Sequence, residues 1–416
     1  MTSFSRLGSA NTYDNALRNL STRQSALSGL QENLTSGKRV VRASDDPTSA
    51  AQAERALTRM SRIATDQRAL ESQRSSITMA ESTLGDITDA LQNFRELVVS
   101  AGNGSYTAAD RKTIAGQLTG LRDQILASAN RQDTNGQPLF SALGSALAPF
   151  VGPQSIAPDY QFNGLPGQSA SSNVAIPSTL DGDSAFMLQS ARDGSFNVST
   201  NTIPTTRTLT TSNVTVSNSA LVTGSAYSIA IAGVDTTSVP GTTTVTYNVT
   251  ENPNLTGPFT GLTASYPSTQ SANIAVTAMP GLSLSIKGTP AVGDTITVDP
   301  SPSLFSVLDD AIRDIGSAAN GNAASQAISQ ALGNIDIGMG RVSAIRGQAG
   351  DLLNRADRIT DNQGKRSIGL EADRSRAEDL DIVKGLADFQ NQQTAYQAAL
   401  QSYAQVQKLS LFNYIS

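Results

Sequence analysis

The residue types that most often do chemistry in proteins are sparse in this chain. The sequence has 416 residues and contains no His, no Cys and no Trp. Zinc sites built from His or Cys, thiol nucleophiles, Ser-His-Asp triads and haem ligation therefore lack their side chains. Asp181, Asp183, Asp235 and Glu251 could supply a carboxylate pair for glycoside hydrolysis, but nothing in the sequence brings two of them together. We predict that the chain is not an enzyme.

Motifs for metals and cofactors are equally weak. Asp181-Gly182-Asp183 could begin a calcium loop, but no further ligands follow at the required spacing, so an acidic turn is the simpler interpretation. Asp193-Gly194 and Gly293-Asp294 are ordinary turn dipeptides. The chain contains no Gly-Lys-Ser or Gly-Lys-Thr of a phosphate-binding loop. We expect no metal and no cofactor.

Charge and hydropathy argue against two classes of partner. The net charge is −5, and the Lys and Arg residues are dispersed, so we expect no nucleic-acid binding. No apolar run reaches transmembrane length, so we expect no membrane insertion. The first residues, from Met1 to Gly8, lack the basic and then apolar layout of a cleaved signal peptide. The protein is therefore expected to stay in the cytosol or to leave by another route.

The clearest remaining patterns in the sequence are those of helices. The two ends of the chain have matching heptad patterns. The N-terminal pattern consists of Ala10, Tyr13, Leu17, Leu20, Gln24, Leu27, Gln31 and Leu34. The C-terminal pattern consists of Ile382, Leu386, Phe389, Gln393, Tyr396, Leu400, Tyr403 and Gln407. Alternating steps of three and four keep one seam facing a partner helix in a coiled coil. We predict that the two end helices lie side by side and antiparallel.

Capping signals and periodicity predict the next helices. The first helix should end at Ser36, with Gly37 as its left-handed cap, and Asp46 should cap a second helix that begins at Pro47 and runs to Ala101. At 1.5 Å per residue that helix would be roughly 80 Å long. Its apolar stripe comprises Ile63, Leu70, Ile77, Ala80, Leu84, Ile87, Leu91, Phe94, Val98 and Ala101.

A returning helix and a later helical region should pack on this stripe. Thr107 and Asp110 form an acidic variant of the capping box at the start of the returning helix, and a turn at 133–136 follows it. The inward residues of the two regions are Ile114, Leu118, Leu121 and Ile125, and Leu304, Leu308, Ala311, Ile315, Leu332, Ile335, Met339, Val342, Ala349, Leu353 and Ala356.

Between these helices the composition changes to Ser, Thr, Gly, Pro and Val. Four segments alternate as half-buried strands do: 227–232, 245–249, 282–286 and 295–298. We therefore predict an α + β multidomain protein, with a long helical rod or coiled coil from both termini and an inserted antiparallel β domain. The predicted parts are terminal coiled-coil helices at 1–43 and 370–416, a helical rod bundle at 44–146 and 303–369, and the β domain at 147–302.

The terminal helices favour assembly over a plain internal core. The predicted seam contains glutamines, which restrict the register of a coiled coil at a cost in stability. In addition, the chain stays apolar up to Ile415. A partner surface is the better explanation for such an end. The expected assembly interface is Leu17, Leu20, Leu27, Leu34, Leu386, Phe389, Tyr396, Leu400, Tyr403, Val406, Leu409 and Phe412.

Several of these segments resemble the flagellin superfamily of bacterial flagella. The resemblance lies in residues 34–40 (LTSGKRV), 44–47 (SDDP) and 110–115 (DRKTIA). Two further features resemble the hook-associated protein 3 subfamily, which forms the hook–filament junction. They are 293–298 (GDTITV) leading into 303–305 (SLF), and the ending 392–400 (QQTAYQAAL) with 409–415 (LSLFNYI).

The resemblance implies a structural role. Subunits of this kind would form a ring of like copies between hook-associated protein 1 and the first layer of flagellin, outside the cell. They would leave unfolded through the flagellar type III export apparatus, with an uncleaved N-terminus and with a chaperone bound to the C-terminal helix before export. Two other interpretations stay open: a filament flagellin, and an adhesin or glycan-binding module carried by the β insertion.

Overall fold

A computed structural model describes residues 9–156, 158–202, 208–253, 255 and 257–415, with side chains from 14 to 405 within those ranges. The chain divides into two compact units. Unit 1 comprises Met1–Arg68 and Thr360–Ser416, and unit 2 comprises Ala69–Ile359. The sequence predicted three parts. The β insertion and most of the rod bundle fall in unit 2, whereas residues 44–68 and 360–369 of the predicted rod bundle fall in unit 1.

The helices agree closely with the periodicity. They are α1 (Ser9–Ser36), α2 (Pro47–Ala101), α3 (Ala108–Ala129), the short α4 (Gly182–Phe186) and α5 (Ser190–Asp193), α6 (Leu304–Gly316), α7 (Gly321–Glu378) and α8 (Ile382–Ile415). No helix in the described ranges is long and apolar enough to cross a membrane.

Local hydrogen bonding explains where these helices begin and end. Gly37 has φ 69°, the left-handed conformation that ends α1. One carboxylate oxygen of Asp46 accepts hydrogen bonds from the backbone N–H groups of Thr48 and Ser49, at 3.2 and 3.1 Å. The predicted capping box is present, because Thr107 and Asp110 each accept a hydrogen bond from the other's backbone N–H. These helix boundaries were therefore predictable from sequence.

The helices of unit 2 enclose one apolar core. Ion pairs join Arg74 to Asp357, Glu81 to Arg346 and Arg95 to Asp336, so α2 and α7 run antiparallel. Every stripe residue of α2 from Leu70 to Ala101 is buried, which confirms the pattern. The inward residues predicted for α3, α6 and α7 within this unit are likewise buried or half-buried against the same core.

Most of the β strands form a small two-sheet domain in unit 2, and the first two strands pair only with each other in a separate antiparallel sheet. The strands are β1 (Phe150–Val151), β2 (Gln161–Phe162), β3 (Phe196–Asn201), β4 (Leu209–Thr211), β5 (Thr215–Val216), β6 (Ala226–Asp235), β7 (Thr242–Asn252), β8 (Phe259–Pro267), β9 (Ala272–Met279), β10 (Leu282–Gly288) and β11 (Thr295–Pro300). One sheet has the order β3-β11-β6-β7-β8, in the other β10 pairs with β4, β5 and β9, and all these pairings are antiparallel. Alternating residues of both sheets fill one shared core. All four predicted strands are present.

The expected start of the β insertion at 147 differs from the structure. Phe150, Tyr160 and Phe186 are buried in the helical core, where the rings of Phe150 and Phe305 lie 5.5 Å apart. The sheet domain proper begins at β3. The aromatic residues before it are spaced too irregularly to show a period, and they stand in a stretch whose composition is otherwise that of loops.

A row of amide side chains on α7 holds the sheet domain against the helices. Gln326, Gln330 and Asn334 follow at intervals of four residues and are buried. Gln330 Nε2 donates to the carbonyl oxygen of Ser212 at 3.0 Å, and Asn334 Nδ2 donates to that of Phe196 at 2.9 Å. Because the amides satisfy buried backbone groups, the two parts of unit 2 have a specific polar interface.

Candidate assembly surface

In unit 1 the chain segments after α1 and before α8 form a short two-stranded contact, called here the clasp (residues 37–40 and 377–380). The N–H of Arg39 donates to the carbonyl oxygen of Glu378 at 2.7 Å, and the N–H of Leu380 donates to that of Gly37 at 2.9 Å. Val40 is buried. The clasp therefore ties the base of α1 to the base of α8.

Side chains reinforce the clasp. Lys38 forms an ion pair with Glu378, whose other oxygen lies 3.1 Å from Arg374. Arg39 donates to the carbonyl oxygen of Ala377 at 2.8 Å. From the sequence, Lys38 and Arg39 were recognised only as part of a family motif, and this contact was not predicted. Their partners lie about 340 residues away, so no local signal could have identified them.

Above the clasp, α1 and α8 pack along half-buried stripes. Gly385 is buried, and a side-chain carbon added there would lie 3.4 Å from Leu34, so the two helices approach closely at this point. The half-buried residues on steps of three and four are Ala16, Leu20, Arg23, Leu27, Leu30 and Leu34 in α1, and Phe389, Gln392, Tyr396, Ala399 and Tyr403 in α8. Where α1 and α8 have described side chains, Gly385 alone reaches full burial.

Among the described residues, the predicted seam has the wrong phase at alternate positions from Leu17 to Leu34 and from Leu386 to Tyr403. Gln24, Gln31 and Gln393 are exposed, and so are Leu17 and Leu386. The predicted and the observed phase of the seam share six residues. At the positions between these residues, the observed phase uses the residue one place earlier in the chain. The shared residues are Leu20, Leu27, Leu34, Phe389, Tyr396 and Tyr403. The structure has the phase in which most of the glutamine side chains face solvent. This phase is favoured because burying an amide side chain without a hydrogen-bond partner costs free energy.

The same shift leaves an apolar face exposed on unit 1. The exposed fractions of its large apolar side chains are 42% for Leu17, 64% for Ile382, 82% for Val383, 48% for Leu386 and 42% for Leu400. Ala10, Tyr13, Val406, Gln407, Leu409 and Phe412 have side chains outside the described residues. Exposed apolar rows of this kind are typical of surfaces that another protein covers.

The carboxylates that were considered as catalytic or metal sites have local structural partners. Asp181 caps α4 and accepts from the hydroxyl of Ser184 at 2.8 Å, and burial raises the pKa of the adjacent Asp183. Asp235 accepts from the N–H of Thr237 at 2.8 Å, and hydrogen bonds to its turn lower its pKa. Glu251 is buried and accepts from Tyr227. Within the described residues, His, Cys, Asp and Glu form no group of three that could hold a metal ion.

Comparison with known proteins agrees with this architecture. The model of the bacterial flagellin N-terminal helical region matches residues 9–144, and that of the flagellin C-terminal helical region matches residues 332–415. Together these stretches make up more than half of the chain. The chain therefore belongs to the flagellin superfamily.

Individual relatives fall in two groups within that superfamily. The chain is 36% identical to flagellar hook-associated protein 3 of Escherichia coli over 141 residues, which are 33% of this chain and 44% of the relative. It spans less than half the length of that relative. It is 26% identical to a flagellin of Clostridium tyrobutyricum over 94% of this chain and 96% of that one. The flagellar junction protein FlgL of Legionella pneumophila shares the fold, with a TM-score of 0.58, 24% identity, and coverage of 74% of this chain and 99% of that one.

Proposed function

We propose that this chain is a structural subunit of the bacterial flagellum that forms the junction between the hook and the flagellin filament. The apolar face of unit 1 carries the proposal, because Leu17, Leu386 and Leu400 are each exposed to between 42% and 48%. Neighbouring subunits would bury this face, together with the interface residues Leu20, Leu27, Leu34, Phe389, Tyr396 and Tyr403.

The proposed partners follow from the same role. Copies of the chain would form a ring that contacts hook-associated protein 1 on one side and flagellin on the other. The identity to hook-associated protein 3 and the fold shared with a junction protein support this placement. The chain would be exported unfolded through the flagellar type III apparatus, without a cleaved signal peptide, after release from a chaperone bound to α8. Its work is mechanical and requires no catalysis.

A filament flagellin is the second candidate. The match to the Clostridium tyrobutyricum flagellin extends over nearly the whole of both chains, although at lower identity. The two candidates differ in where the protein lies: a junction subunit occupies one zone at the base of the filament, and a flagellin occupies its whole length.

The apolar face can be tested with Leu386→Asp and Leu400→Asp combined. Both side chains are exposed in the single chain, so the purified variant should fold. In an assembly each carboxylate would be buried without a partner, which should cost roughly 2 to 5 kcal/mol for each carboxylate. In flagellated cells whose only copy carries the change, we expect complete hooks, flagellin shed into the medium and loss of swimming.

A matched control places the same charges on another side of α8. Asn391→Asp and Ser402→Asp alter exposed polar residues away from both the seam and the apolar face. Cells with the control should swim normally. Normal filaments in cells with Leu386→Asp and Leu400→Asp would contradict the proposed interface.

A further inference from the structure

Three arginines form a basic stripe on the solvent side of α2 in unit 1. Arg55, Arg59 and Arg62 are exposed and are spaced by four and three residues, so they lie on one face of the helix. In the part of the chain that the structure describes, none of them forms an ion pair. Glu54 and Asp66 flank the stripe, but within the described residues neither carboxylate forms an ion pair with these arginines. Like charges at these spacings repel one another, so the stripe is unfavourable in an isolated helix.

An acidic pair of the same dimensions lies on α2 in unit 2. Asp89 and Glu96 are exposed, and within the described residues neither forms an ion pair. They are seven residues apart, as Arg55 and Arg62 are, so each set extends about 10.5 Å along its helix. Asn93 lies between the two carboxylates, at the place that Arg59 holds in the basic stripe.

Several other charged groups on α2 form ion pairs within the chain. Arg74, Glu81 and Arg95 each pair with a residue of α7, and Asp86 pairs with Arg131. Glu71 pairs with Arg74 as well, so five charged residues of α2 are paired within the chain. Among the described residues, Glu54, Asp66 and Arg68 form no ion pair, and neither do the basic and the acidic set, which have equal length. The two sets are complementary in charge and in spacing.

We infer that two copies of this chain dock with the basic stripe of one copy (Arg55, Arg59, Arg62) against the acidic pair of the other (Asp89, Glu96). The two surfaces differ, so the contact is heterologous and can repeat from copy to copy. Charge complementarity of this kind selects the partner and its register. The inference draws on the proposed structural role only in requiring that copies meet, and it holds equally for a junction ring and for a filament.

The absence of native cysteine allows a direct test in the full-length chain. One sample carries Arg59→Cys and a second carries Asn93→Cys, and the purified proteins are mixed under oxidising conditions at rising concentration. We expect a mixed disulfide-linked dimer at least about tenfold more abundant than that formed by Arg59→Cys with Lys112→Cys. Lys112 is an exposed residue of α3 outside both surfaces. Equal yields, or no mixed dimer at any concentration, would overturn the inference.

A charge exchange tests the electrostatic basis. Arg55→Glu, Arg59→Glu and Arg62→Glu together should weaken self-association, measured by sedimentation velocity, by about tenfold or more at low salt. Adding Asp89→Arg and Glu96→Arg to the same chain should restore it, because the complementary pairing is recreated with the signs exchanged. Thermal unfolding of each variant separates a folding defect from a docking defect.

Failure of the rescue would show that the stripe meets a different partner, such as another flagellar protein or a polyanion, and would overturn the inference. The proposed function is tested separately by filament attachment in cells. Normal filaments in cells with Leu386→Asp and Leu400→Asp, together with the specific cross-link, would mean that only the proposed function has failed. Shed flagellin from those cells without the specific cross-link would mean that only the docking inference has failed.

Discussion

The helices of unit 2 bury their apolar side chains more completely than the paired helices of unit 1 do. In unit 2, Leu84, Leu91, Phe94 and Val98 of α2 are completely buried. In unit 1, α1 and α8 share a seam in which the large apolar side chains are at most half-buried. Both regions are built from long helices with regular apolar spacing, so helix periodicity alone does not determine how deep a core becomes.

The difference indicates what each region is for. A core that is complete within one chain gives a unit that is stable alone. If subunits assemble through this surface as proposed, the thin seam flanked by exposed Leu17, Leu386 and Leu400 leaves stabilisation to be gained on assembly. The clasp lies at the base of that seam and holds α1 and α8 together, while their exposed sides stay available.

The largest expected effect concerns the boundary between helical core and sheet domain. Deleting 196–300 and joining Ser195 to Ser301 should preserve the helical part of unit 2, since the hydroxyl of Ser195 already donates to the carbonyl oxygen of Ser301 at 3.0 Å. Deleting 150–300 should destabilise it by more than about 5 kcal/mol, because Phe150, Tyr160 and Phe186 leave the helical core. Urea unfolding followed by circular dichroism compares the two, and equal stabilities would show that the aromatic segment is not part of that core.

A smaller effect should separate the deep core from the seam. Leu91→Ala should lower the free energy of unfolding of the monomer by about 3 kcal/mol, because it leaves a cavity in a fully buried site. Leu20→Ala, at a half-buried site of α1, should cost less than about 1 kcal/mol. The comparison requires a concentration at which sedimentation shows monomer. A cost for Leu20→Ala equal to that for Leu91→Ala would mean that the seam is a complete core already.

The smallest expected effect is a pH dependence within unit 2. Burial raises the pKa of Asp310 from 3.8 to about 6, although Arg313 lies 2.8 Å away and opposes the shift. The folded chain therefore holds this proton more tightly than the unfolded chain, and stability falls as pH rises from about 4 through 6. Asp310→Asn should be more stable than the wild type at pH 8 by about 1 kcal/mol, with the gain vanishing near pH 4. A gain of the same size at both pH values would rule out titration of Asp310 as the cause.

Local patterns predicted most helices, and non-local contacts explain what sequence reasoning missed. Two examples are the capping box of Thr107 and Asp110 and the apolar stripe through Leu84 and Leu91. Each depends on residues within two helical turns of one another, so it can be predicted from the sequence. The clasp, the amide row on α7 and the aromatic residues in the helical core join segments far apart in the chain. No spacing rule connects such partners.

The seam between α1 and α8 was predicted only in part for a related reason. Two seam phases differ by a single residue at alternate positions, and the predicted phase is the one that contains Gln24 and Gln31. Counting apolar residues does not separate the phases well, because Leu17 belongs to one and Leu30 to the other. The contact between helices decides, through the cost of burying an amide without partners.

The position of the protein in the flagellum tests the central claim most directly. A small epitope inserted at the β6–β7 turn, near Val239, would lie on an exposed loop of the sheet domain and can be labelled on intact cells. We expect label in one thin zone between hook and filament, and none along the filament. Label along the whole filament would contradict the junction role and support a filament flagellin, and label absent from assembled flagella would contradict both.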